Sequence, residues 1–195
     1  MVLLVLITMM AFKPQKQKTD LTEIPPGSQL AYNVDFQGQK YQFVVDVVKK
    51  SPELVFKYNL TMGNGMQGTV TISEAAMKSA INQQNYFNGS DRNLTGETTV
   101  WVSNKVYKEI KASGKTTIGN DKGGLAGFNS AEYSLVGTED FTTALNGEAL
   151  VLKALHIKTT DGSNFHYWIW DNEKDPLILK MDLGWGISLK ELSVN

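Results

Sequence analysis

The chain of 195 residues is 42% hydrophobic and carries 19 Lys and Arg against 20 Asp and Glu, a net charge of −1. That length and apolar content suit one well-buried domain, and the charge balance excludes a general electrostatic footprint for nucleic acid or an anionic membrane surface. With no cysteine in the chain, disulfides, thiolate nucleophiles and Cys-based metal sites are excluded as well.

Residues 1–12 form a signal-like apolar segment: Val2 to Phe12 is apolar apart from Thr8, and Lys13, Pro14, Lys16 and Lys18 follow it. The run is too short to span a bilayer comfortably, so no integral membrane span is expected. It predicts export to the periplasm or outer envelope, with the mature chain beginning between about Ala11 and Lys18. The alternative is an internal strand or a short anchor. Residues 13–28 are polar and proline-bearing and read as a linker, which leaves residues 29–195 as a single domain.

From Leu30 onward the pattern is that of an antiparallel meander. Leu30 to Phe36 and Tyr41 to Val48 flank a turn at Gln37-Gly38, Leu54 to Met62 follows the turn at Ser51-Pro52-Glu53, and Thr69 to Ile72 follows Gly63-Asn64-Gly65; the connections are too short for parallel crossovers. Ser73 reads as the N-cap of a helix running to about Gln84, with Ala76, Met77, Ala80 and Ile81 on one face. Asn85 to Gly96 reads as a surface loop and Thr98 to Val102 as a strand. Ser103 caps a second helix with Val106, Tyr107 and Ile110 on one face and a stop at Gly114. Thr116 to Ile118 and Tyr133 to Phe141 read as strands separated by the flexible Gly123 to Gly127 region.

The stretch Glu148 to Leu192 predicts four consecutive antiparallel strands, turning at Asp161-Gly162, at Asp171 to Pro176 and at Leu183 to Trp185. A two-residue type I′ turn at Asp161-Gly162 sets Ile157 opposite His166 and His156 opposite Tyr167. It places His166, Trp168 and Trp170 on one face and His156 on the other. Both faces of this ribbon are apolar, which calls for cover on both sides by helices, another sheet or a bound apolar molecule. The last strand, with Ile187 and Leu189 alternating against Ser188 and Lys190, reads as a half-exposed edge. The fold class expected is mainly β, a β-rich α+β single domain: a curved antiparallel sheet or half-barrel of about ten or eleven strands with two short helices.

Recognisable chemistry is sparse. Ser113-Gly114-Lys115-Thr116 ends like a phosphate-binding loop, but Glu109 stands where its first glycine belongs and the segment follows a helix. Asp171, Glu173 and Asp175 share one turn and read as solvated, lacking the spacing that wraps a cation. His156 and His166, read onto opposite faces, do not share a metal. No catalytic set, metal site or cofactor is expected, and the enzyme reading has no motif behind it. Asn59-Leu60-Thr61, Asn88-Gly89-Ser90 and Asn93-Leu94-Thr95 match the glycosylation pattern. The ligand-binding candidates are His166, Trp168 and Trp170, because aromatic rings offer large apolar area and Trp keeps an N–H to donate; core packing of the same face is the competing reading.

Tyr167-Trp168-Ile169-Trp170 followed by Asp175-Pro176-Leu177-Ile178-Leu179-Lys180-Met181 resembles the closing strands of exported half-barrel proteins of the lipoprotein-carrier (LolA/LolB-like) and DUF3108-like kind, and the chain as a whole looks like exported proteins of Bacteroidetes. The resemblance implies a curved sheet with helices on its concave side, sometimes holding acyl chains. The function expected is then an exported, non-enzymatic binding or carrier protein for an apolar small molecule. A structural or interaction module docking an envelope protein is the alternative, and a hydrolase the third reading.

Overall fold

The computed structural model describes residues 21–62 and 65–194; the signal-like segment 1–12 and the first half of the expected linker, residues 13–20, lie outside them. Within them the chain is one mainly-β domain of thirteen strands and two helices.

Strands β1 (Gln29–Phe36), β2 (Gln39–Lys49), β3 (Leu54–Leu60) and β4 (Met66–Ile72) form the expected meander. At its first turn Gln37 and Gly38 both take positive φ, the type I′ geometry that matches strand twist. Helix α1 (Glu74–Ser79) starts where Ser73 accepts the Ala76 N–H at 3.1 Å, but it stops at Ala80, short of the expected end near Gln84. The chain there extends into β5 (Asn82–Gln83), which pairs in parallel with two other strands. The expected surface loop instead contributes β6 (Arg92–Leu94), added to the free edge of β4. The strand expected over Thr98 to Val102 is reduced to β7 (Glu97–Thr98), because Val100 turns to φ 63° and Trp101 makes only an isolated bridge to Leu177. Helix α2 (Asn104–Ser113) has the predicted limits: Ser103 accepts the Val106 N–H, and Gly114 closes it at φ 70°.

Next come β8 (Lys115–Lys122), β9 (Leu125–Leu145), β10 (Glu148–Thr159), β11 (His166–Trp170), β12 (Ile178–Asp182) and β13 (Gly186–Ser193). The sheet order is β6-β4-β3-β2-β1-β13-β12-β11-β10-β9-β8-β5-β7. So β13 is no edge strand. It lies between β1 and β12, and its last residues also pair in parallel with the end of β9, Leu192 beside Leu145. That pairing closes β9 to β13 into a small ring, with Leu152, Ala154 and Trp170 buried inside. One face of the C-terminal ribbon is thereby covered by its own closure. The other face, Leu155, Ile157, Tyr167 and Ile169, packs on Val106, Tyr107 and Ile110 of α2. Helix α1 serves the other cluster, which joins β1 to β4 with Leu152, Ala154 and Trp170 of the ring.

The register of the β10–β11 pair differs by one residue from the sequence expectation. Thr159 and Phe165 close the loop by a backbone bond of 3.0 Å, so five residues rather than two separate the paired ends. Asp161 accepts the N–H and hydroxyl of Ser163, and the Thr159 hydroxyl accepts the Phe165 N–H, which holds this wider loop open. A one-residue slip moves partners to the opposite face. His156 is therefore opposite Trp168, and His156 and His166 share a face, contrary to the expected separation.

The acidic turn is solvated only in part: Glu173 is exposed, as expected, but Asp175 is not. Asp175 is fully buried and accepts the backbone N–H of Ile24 at 2.6 Å, the Lys50 ammonium at 2.6 Å and the Trp101 indole N–H at 2.5 Å. Through it the segment just before β1, the end of β2 and the bridge between β7 and α2 are tied to one carboxylate. Ile24 is 1% exposed, so residues 21–28, assigned from the sequence to a linker, are packed onto the domain. Asp171 accepts the Tyr107 hydroxyl and Lys111, and Glu173 meets Lys108, so the same turn also holds α2.

Candidate functional site

The sequence candidates His166, Trp168 and Trp170 do share a face, and the structure divides them. Trp170 is buried in the closed ring as core. His166 and Trp168 sit higher on the same face, half-buried, where the register brings in residues not foreseen. His156 on β10 and Lys180 on β12 flank Trp168 in one cross-strand row. The His156 ring stacks on the indole at 4.3 Å, and the Lys180 ammonium lies 4.3 Å from its centroid. Glu139 accepts from His156 Nδ1 at 2.6 Å and from the Trp168 indole at 3.2 Å, while His156 Nε2 meets His166 Nδ1 at 2.8 Å.

The carboxylate at Nδ1 calls for a proton there, and the second ring nitrogen of His156 faces His166 Nδ1. Partial burial, then the neighbouring His156 and Lys158, hold His166 below the ordinary imidazole value of 6.5, with Asp182 opposing. Glu139 is pushed up by desolvation but held lower overall by Trp168 and His156. Among the described residues no three metal-ligating side chains converge.

A pH dependence follows from His166. Unfolded chain takes up a proton near pH 6.5, whereas the folded site resists it, so stability is full above that value and declines as pH falls below it. Glu139, depressed below 4.5, loses its contribution in a lower window. Urea unfolding of wild type at pH 7.5 and about 5.5 is expected to show a lower midpoint at the acid value, and His166→Gln to flatten that difference. An unchanged slope in the variant contradicts the assignment.

A partly enclosed, mostly apolar cleft opens on the other face. It has a volume of about 680 Å³ and lies between the β1 to β4 wing and the β8–β9 wing, floored by Ile178, Met181 and Ile187. Phe36, Tyr41, Phe43, Leu60, Met62 and Met66 supply one wall. None of the three sequence candidates lines it. Residues 84–91 form a strap across it: Phe87 packs 4.7 Å from Phe43 and 4.8 Å from Tyr58, and the Tyr58 hydroxyl accepts from Gly89 N–H and donates to Ser90 O. The other end of the strap is held by Asp121, whose Oδ2 accepts the N–H groups of Asn85 and Tyr86 and the Gln84 amide.

Gly68 and Gly124 show how closely the strap is seated. A Cβ at Gly68 would stand 2.7 Å from Ser90 O, and one at Gly124 would stand 2.8 Å from the Tyr86 ring. Beneath the strap Asn120 joins the Tyr133 and Tyr167 hydroxyls. Burial pushes Tyr133 up to about 12 and Tyr167 well above the ordinary phenol, so both stay neutral. The strap is not legible in the sequence because its two aromatic residues stand inside a polar stretch, Asn85-Tyr86-Phe87-Asn88; that Tyr-Phe pair in a polar loop is the signal that could have found it. Comparison of the chain with family models, with curated proteins and with solved structures finds no match.

Proposed function

We propose that this protein is a non-enzymatic binding or carrier protein for a single-chain apolar molecule, held in the strapped cleft on the concave face. The observation that carries the reading is the cleft itself. Its volume falls in the range of about 300–1,000 Å³ usual for small-molecule sites, and its β1–β4 wall is aromatic and thioether-bearing. Met62 and Met66 are flexible fillers suited to a ligand without fixed shape. An acyl-type chain lying between Phe43, Phe87 and Trp185 would cover surface that the sheet cannot cover, because the two short helices are already committed elsewhere. This agrees with what the sequence resemblance implies, and export to the envelope belongs to the same proposal.

The reading is tested by titration with Nile red, an uncharged apolar dye. Saturable one-to-one uptake with energy transfer from tryptophan is expected. Weak, non-saturating uptake contradicts a formed site.

A further inference from the structure

The cleft has two chemically different sides, and the difference names the class of head group. The wall from β1 to β4 and the strap's Phe87 is apolar, whereas β8, β9 and the loop after β10 present Asp121, Asn129, Ser130, Asp161 and Ser163, joined by Asn85 of the strap. No Lys, Arg or His lines it among the described residues, and two carboxylates do. The cation next in sequence, Lys122, is turned away to the hairpin tip, its ammonium 3.7 Å from where a Cβ on Gly127 would stand.

Resting on the cleft as a ligand site, we infer that its ligand is a single-chain amphiphile with a hydrogen-bond-donating, non-anionic head, a primary ammonium above all. The polar wall is rich in acceptors. Asp161 accepts the N–H and hydroxyl of Ser163 through Oδ1, and these bonds hold the carboxyl below its ordinary value, so the charge stays at the cleft rim. Asp121 is occupied by backbone N–H groups of the strap and of Gly123, yet its negative charge remains at the cleft. An ammonium head is attracted by both charges, while a fatty-acid carboxylate meets two like charges and no compensating cation. A net charge of only −1 on the whole chain means that bulk electrostatics cannot supply this preference.

The test is displacement of Nile red at pH 7.4, below micelle-forming concentrations, by dodecylamine, by monododecanoylglycerol and by dodecanoate. Dodecylamine is expected to displace the dye at a concentration at least tenfold lower than dodecanoate, with the glycerol ester between them. Dodecanoate equal to or better than the amine overturns the inference and leaves the cleft reading intact. Dye that binds but is displaced by none of the three overturns the reading on which it rests. Asp161→Asn, an exposed change that spares the strap's anchor, is expected to reduce the amine-to-carboxylate ratio at least threefold. A ratio that persists undiminished overturns the assignment of the selectivity to this wall.

Discussion

Replacing Asp175 with alanine is expected to lower the unfolding free energy by about 3–5 kcal/mol, the cost of breaking a buried, hydrogen-bonded charge pair from one side. The carboxylate is wholly inaccessible, and its removal leaves the Lys50 ammonium, the Trp101 indole N–H and the Ile24 N–H without their acceptor at once. Lys50 also lies 4.8 Å from the Trp101 ring centroid, so the cation is held between acid and indole. Asp175→Asn keeps the shape and an acceptor oxygen but not the charge, and is expected to lose less than alanine. Denaturant unfolding of the two variants checks the order. A loss below about 1 kcal/mol for alanine, within the range of a surface pair, contradicts the anchoring role.

The second large effect concerns binding. Phe87→Asn is expected to weaken Nile red uptake at least tenfold, because it removes the aromatic side of the strap and puts an amide against Phe43 and Tyr58. The strap itself should stay in place. Its bonds to Asp121, to the Tyr58 hydroxyl and from Thr69 N–H to Asp91 do not involve the Phe87 side chain. Stability is therefore expected to fall by only about 1–2 kcal/mol, for loss of a partly buried ring. Phe87→Leu, which keeps the apolar surface, is expected to bind within about threefold of wild type. Full dye binding in the asparagine variant would move the site elsewhere.

Features set by neighbouring residues were legible in the sequence. The β1–β4 meander was, since alternation and the Gln37-Gly38 turn are local, and so was α2, whose cap, stripe and glycine stop lie within Ser103 to Gly114. The mainly-β class and the two-sided cover of the C-terminal ribbon followed from the same kind of signal. What was not legible depends on distant partners or on a side chain choosing between turns. Asp161 capturing Ser163 widened a loop by three residues, and that alone carried His156 onto the face of His166 and Trp168. Asp175 looked like one acid among three, because its partners Ile24, Lys50 and Trp101 are far off in sequence. β13 alternates like an edge strand, and only the free flank of β1 and the end of β9 place it inside the sheet. For the same reason the aromatic residues chosen as ligand contacts from the ribbon are not those of the cleft.

The most direct measurement is native mass spectrometry of the protein recovered, without detergent or added lipid, from the cells that make it. The account predicts one bound molecule of single-chain amphiphile mass per chain, carrying an amine or neutral head, and its loss in Phe87→Asn. Bare protein in both samples, from a wild type that also takes up no Nile red, would contradict the binding account and leave a protein-interaction role for the same face.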